Sequence, residues 1–238
     1  MTINPKFKTA KFLEKFDCYQ TPALRLCYQN LIRPRAGKDD NGNPTTPKYD
    51  FTALIHKDAD LDLIMDAAEE LAKSKVGAKN YQFLRYPWRD INEKTKSAAG
   101  IREALETEGT LRDYTHFMSV RSEDKPDIVH PSNRPFDPSE ATDELYAGRW
   151  FRSTCRMYYY KKSGNEGIAL ALRNVQLLDQ GERLKLGRVA AKASEEFEAA
   201  SDEEDDMPEE RSSKRRVRDE DDTPFEGGRP VRRSLRNL

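Results

Sequence analysis

A mainly β fold is predicted for this chain of 238 residues: five strands closed into a small antiparallel barrel, one or two helices, and a disordered C-terminal tail. Three observations predict it. Five stretches alternate apolar and polar residues with the period of a strand, only residues 58–77 carry a strong helical period, and the last fifth of the chain lacks the apolar residues to build a core.

The first strand is "ALRLCYQNLI", 23–32, with Leu24, Leu26 and Tyr28 on one face and Arg25, Cys27 and Gln29 on the other. Residues 33–48 are rich in Gly, Pro, Asn and Asp and read as a loop. "KYDFTALIHK", 48–57, follows as a second strand, with Tyr49, Phe51, Ala53 and Ile55 inward. In 58–77, Asp58 is the expected N-cap, Asp60 and Asp62 suit the positive end of the helix dipole, and Leu61, Ile64, Ala68 and Leu71 make an apolar stripe that ends at Gly77. Residues 78–110 are less legible, with a short helix expected in "SAAGIREALETEG". "YTHFMSVRS", 114–122, is a third strand, and the Pro-rich run that follows reads as a long loop on the sheet. "RWFRSTCRMYYYKK", 149–162, and "IALALRNVQLL", 168–178, flank the turn "SGNEG" as a hairpin. Five strands and one firm helix fit the OB barrel, which leaves one sheet face open to single strands.

Composition narrows the function. Residues 191–238 hold 15 acidic and 10 basic side chains, a net of −5, whereas residues 1–190 hold 27 and 31, a net of +4. A mildly basic body with a patterned acidic tail suits a polyanion partner. The expected organisation is a barrel domain over 1–190, with an insertion near 78–110, and a disordered tail over 191–238. No run of about 18 apolar residues predicts a membrane span, and the basic start lacks the apolar stretch and cleavage site of a secretory signal. Three scattered cysteines fit a reducing cytoplasm, and the three histidines show no zinc spacing. The chain has no phosphate-cradling Gly-Lys-Ser/Thr loop, no GxSxG elbow and no HExxH, so no cofactor, catalytic residue or metal is expected.

The hairpin strand carries the most specific chemistry. With period two, Phe151, Ser153, Cys155, Met157 and Tyr159 form a core face, and Trp150, Arg152, Thr154, Arg156, Tyr158 and Tyr160 face outward. Arg149 and Lys161 flank that second face. Rings spaced by guanidinium groups suit single-stranded nucleic acid, because unpaired bases stack on aromatics at roughly 1–3 kcal/mol each while cations follow the phosphates. Arg85, Tyr86 and Trp88 offer the same mixture and are expected to extend the path.

In "RLCYQNLIRP" (25–34), "KYDFTALIHKD" (48–58), "KPDIVHP" (125–131), "LYAGRWFRSTCRMYYY" (145–160) and "GIALALRNVQLLDQGERL" (167–184), the chain resembles the phage-type single-stranded DNA-binding proteins with an OB-like fold. The resemblance spans most of residues 20–187 and rests on the order and spacing of the segments; the stretch near 78–110 is longer than the family pattern. It implies a non-catalytic protein that coats single-stranded DNA in phage replication, recombination or repair, in the cytoplasm of the bacterial host. "DEDDTPF" is similar to the acidic tip with which bacterial single-stranded DNA-binding proteins dock on replication or recombination partners. Asp219, Glu220, Asp221, Asp222, Pro224 and Phe225 are the tail residues so implied, although Phe225 is not terminal here.

Two other classes stay open at this level. Carboxylates of the 39–62 region, such as Asp39 and Asp40, could serve a metal-dependent nuclease. The aromatic face could instead serve a replication adaptor or an RNA-binding module. Oligomeric state is not legible.

Overall fold

The computed structural model describes residues 3–38, 42–162 and 164–186. The expectations placed on the tail, including Asp219 to Phe225, and on Asp39 and Asp40 lie outside the described residues.

The strands, in chain order, are β1 (Lys11–Leu13), β2 (Cys18–Gln20), β3 (Leu24–Gln29), β4 (Tyr49–His56), β5 (Trp88–Asp90), β6 (Tyr114–Ser122), β7 (Asp127–Val129), β8 (Trp150–Lys162) and β9 (Asn165–Leu177). The helices are α1 (Asp62–Val76), α2 (Lys96–Glu108) and the single turn α3 (Ala141–Glu144). Strands β3, β4, β6, β9 and β8 pair in that cyclic order, and β8 returns to β3, so five strands close an OB-like barrel. These five are the strands expected from the alternation. Every pairing around the ring is antiparallel except β6 with β9, which is parallel.

The barrel interior holds Leu24, Leu26, Phe51, Ala53, Met118, Val120, Phe151, Cys155, Leu170, Leu172 and Val175. Phe51 and Phe151 meet edge to face with centroids 4.9 Å apart, the preferred geometry for two aromatic quadrupoles. The inward set expected for 48–57 is correct from Phe51 to Ile55. The expected face of the first strand needs correction: a bulge between Leu26 and Tyr28 turns Tyr28 outward, to 42% exposure, and brings Gln29 opposite Phe51.

A second apolar layer lies outside the barrel wall. Ala98, Ile101 and Leu105 of α2 pack with Cys27, Leu54, Tyr114 and Phe117 over β3, β4 and β6. Thr95 caps α2 by accepting from the Ala98 amide. The other end is held by Arg25, fully buried, which donates to Glu108 Oε2 (3.2 Å), the Tyr114 hydroxyl (3.2 Å) and the Glu182 carbonyl (2.9 Å). Helix α1 packs through Ala68 and Ala72 on Ile168, with Met157 and Tyr159 at its flank. Its start corrects the expected cap: the Asp58 amide turns back to the His56 ring, and Asp60 instead accepts from the Asp62 amide at 3.2 Å. The Pro-rich run is not all loop, since Asp127–Val129 adds as β7, parallel to β9.

Candidate nucleic-acid interface

The long β8–β9 hairpin presents two faces, and the register assigns each side chain to one of them. Tyr160 lies opposite Gly167, Tyr158 opposite Ala169 and Arg156 opposite Ala171, all on the outer face. Met157 and Tyr159 lie opposite Leu170 and Ile168 on the inner face, as expected for the core side. Beyond β9 the outer face continues in two places. Arg121 of β6 pairs with Ala171, and Arg85 bridges Gly167 in parallel.

The result is a strip with a low centre and tall rims. Its floor is Ala169 and Ala171, and it closes at Gly167, which is buried against the backbone of Arg85. One rim is Arg156, Tyr158 and Tyr160; Arg121 and Arg85 stand on the other, about 10 Å away at two strand spacings. Gly167 is required here: a Cβ would meet the Arg85 carbonyl oxygen at 2.3 Å, and that oxygen accepts from the Ile168 amide at 2.8 Å. Tyr158 is 39% exposed, and Tyr160 is half-buried. Among the described residues, Arg85, Arg121 and Arg156 have no carboxylate within ion-pair reach, so their charge is directed at solvent. Lys162 lies opposite Asn165, on the same face as Tyr160.

Several expected site residues are placed elsewhere. Trp150 does face outward from the barrel, but it is only 7% exposed: Ile3, Phe7, Leu178 and Leu184 cover it in the second apolar layer. The segment after β9 folds back over it, and this requires Gly148, at φ +106°, where a Cβ would meet the Glu182 carbonyl oxygen at 1.9 Å. Arg149 is 4% exposed and paired with Glu144 at 3.0 Å. Arg152 is clamped by Gln176 (2.7 Å), Gln20 (3.0 Å) and the Phe7 ring (4.9 Å), and burial lowers its pKa. Lys161 falls on the inner face, with its Nζ 3.5 Å from Glu166. Tyr86 and Trp88 stack on each other at 5.3 Å and pack inward beside α1, while Arg85 alone of that trio joins the strip. The expected outward row is therefore corrected: Trp150, Arg149 and Arg152 are structural, and Tyr86 and Trp88 line the underside of the seam between β6 and β9.

Arg121 and the small floor are absent from the expected site. The floor had a signal, because "IALALR" alternates Ala169 and Ala171 against Ile168, Leu170 and Leu172. Arg121 had none, since its partner is a parallel strand 50 residues away in sequence.

The wall of β4 and β6, the face with which OB barrels commonly hold oligonucleotides, is half covered by α2. Its open half shows Thr52 and Ser119, whose hydroxyls are 3.0 Å apart, with Tyr28 of β3 beside Thr52, and runs through Arg121 into the strip. Among the described residues no three His, Cys, Asp or Glu side chains gather as a metal group, and no helix is long and apolar enough to cross a membrane. Cys18, Cys27 and Cys155 are buried free thiols.

Five strands closed in this order, with helices packed outside the wall, define an OB-like barrel protein. The family model described as the ssDNA-binding protein of Enterobacter phage Enc34 matches residues 19–208, and the chain belongs to that family. Its fold is similar to the single-stranded DNA-binding protein of bacteriophage Enc34 solved in complex with ssDNA: 21% identity, 77% of this chain and 97% of that one covered, TM-score 0.56. A C-terminal truncation of the Enc34 protein aligns at 20% identity over 77% and 97% of the two chains, also with a TM-score of 0.56. No curated protein matches the chain.

Proposed function

We propose that this protein binds single-stranded DNA without catalysis and largely without regard to sequence, protecting it during replication, recombination or repair of a phage genome in the bacterial cytoplasm. The observation that carries the reading is the strip: two tyrosines, and three arginines with no carboxylate partner among the described residues, around a floor of Ala169 and Ala171, in a chain of this family. Bases stack on Tyr158 and Tyr160, and Arg156, Arg121, Arg85 and Lys162 follow the phosphates. The low floor lets a base lie flat between the rims without expelling a large side chain. Tyr28 and the hydroxyls of Thr52 and Ser119 extend the path toward the loop after β3.

Residues 1–190 form the binding domain in this reading, and 191–238 act as a separate tail. The opposite charge of the two parts supports a tail that competes with DNA for the basic surface. The segment from Asp219 to Phe225 would recruit replication or recombination proteins.

A direct test is anisotropy of labelled poly-dT, its duplex and an RNA of the same sequence, titrated with the full chain across salt. The expected result is tight, salt-sensitive binding of the single strand, with the duplex bound far more weakly and no cleavage in magnesium or manganese. Equal affinity for duplex, or loss of the strand to hydrolysis, removes the reading. Deleting residues 191–238 tightens binding at low salt; unchanged affinity removes the tail's part and leaves the strip intact.

A further inference from the structure

Phe83 is 77% exposed, more than any other large apolar side chain among the described residues, and the strip does not use it. A ring so open to water contributes no burial, yet it is held in place. It ends a helical turn, Tyr81–Phe83, whose neighbours Tyr81 and Leu84 pack into the cluster under α1. The Tyr81 carbonyl accepts from the Tyr86 hydroxyl (3.2 Å) and the Leu84 amide (3.2 Å), and Lys73 sits 4.8 Å over the Tyr81 ring. The turn therefore presents Phe83 on a fixed backbone.

Beside it runs a groove of about 660 Å³ on the inner side of the hairpin tip, lined by Lys75, Asn80, Phe83, Arg85, Lys161 and Glu166 among others. Its one carboxylate is already engaged, by the Tyr159 hydroxyl and by Lys161. Lys75 and Arg85 have no carboxylate partner among the described residues, so the groove is net positive. The carbonyl end of α1 points the same way, but the Gly77 amide and Asn80 side chain cover Lys73 and Val76 carbonyls, and Lys73 and Lys75 occupy the last turn. Arg85 is common to both surfaces: it stands on the rim of the strip and lines the groove.

We propose that the single strand, on leaving the strip past Tyr160 and Arg85, turns round the hairpin tip and sets a further base on Phe83, with its phosphates on Lys75 and Arg85. This rests on the single-stranded DNA reading above. An acidic peptide would satisfy the lysines and leave the ring unused, and the shared Arg85 gives DNA a continuous path; a base on Phe83 accounts for ring and cations together.

The test compares the full chain with Phe83→Ala, Phe83→Trp and Lys75→Glu on a ladder of oligo-dT lengths. The ring is exposed, so thermal midpoints stay at the parent value. The expected result for Phe83→Ala is an affinity loss on the order of tenfold on long oligonucleotides and none on the shortest that still binds. Phe83→Trp restores the affinity and its added emission is quenched on binding, and Lys75→Glu flattens the salt dependence on long strands only. If the parent binds every length and both Phe83→Ala and Lys75→Glu match it throughout, the groove serves another ligand, such as an acidic peptide, and the inference is overturned. Failure of the parent to bind any single strand removes the underlying reading, and the inference with it.

Discussion

The two halves of β8 are built from the same residue types and are put to opposite uses. Trp150 and Arg152 begin the strand, Tyr158 and Arg156 lie further along it, and all four project from the same side of the barrel wall. The first ring is sealed under Ile3, Phe7 and Leu184, and the first guanidinium is spent on Gln20, Gln176 and the Phe7 ring. Beyond Cys155 the hairpin runs past this covering, and ring and guanidinium stand open. Aromatic-and-arginine chemistry thus becomes glue or binding surface according to what another part of the chain lays over it.

The largest effect that separates the halves is expected from Trp150→Ala. It removes a core indole and costs about 3–5 kcal/mol of stability, while the affinity of the folded fraction for poly-dT is unchanged. Chemical denaturation and anisotropy read the two quantities separately; a binding defect without destabilisation would return Trp150 to the interface. Tyr158→Ala is its mirror image, with about 1–3 kcal/mol lost in binding and an unchanged thermal midpoint. Ala169→Leu fills the floor between the rims and should cost comparable affinity with the fold intact; wild-type binding by this variant would mean that the strand does not cross β9. Arg156→Ala lowers the salt slope by about 0.7, one phosphate contact on a single strand, whereas Arg152→Ala leaves the slope alone and lowers the melting temperature.

The smallest effect concerns the covered region alone. Burial pushes the thiols of Cys27 and Cys155 up to about 12 from an ordinary 9.0. The unfolded chain releases those protons near the ordinary value while the folded chain keeps them. Their contribution to stability is therefore complete below pH 9.0 and declines as pH rises toward 12. Urea midpoints should fall above pH 9.0, less steeply in Cys155→Ala; a flat profile would show that the thiols reach solvent in the native state.

Much of the fold was legible because a strand with one buried side must alternate. Phe51, Ala53 and Ile55 went inward as their period required, as did Phe151, Ser153 and Cys155. The exceptions are local breaks in the period. The bulge after Leu26 sends Tyr28 to the other face, and no residue type marks the place. For the site, parity separated Tyr158 and Arg156 from Met157 and Tyr159. Arg121 and Arg85 reach the strip through pairings with β9 that are parallel and remote in sequence, so nothing local to either arginine records its neighbour.

Local pattern alone was enough for the existence of five barrel strands, for the apolar side of each wherever no bulge interrupts it, and for the rings and guanidiniums that share the outer side of β8, since each follows from the geometry of neighbouring residues. Which outward residues meet water was settled by long-range packing. Whether Trp150 or Tyr158 is covered depends on where residues 3–7 and 178–184 come to rest, and burial is a property of what packs from elsewhere in the chain.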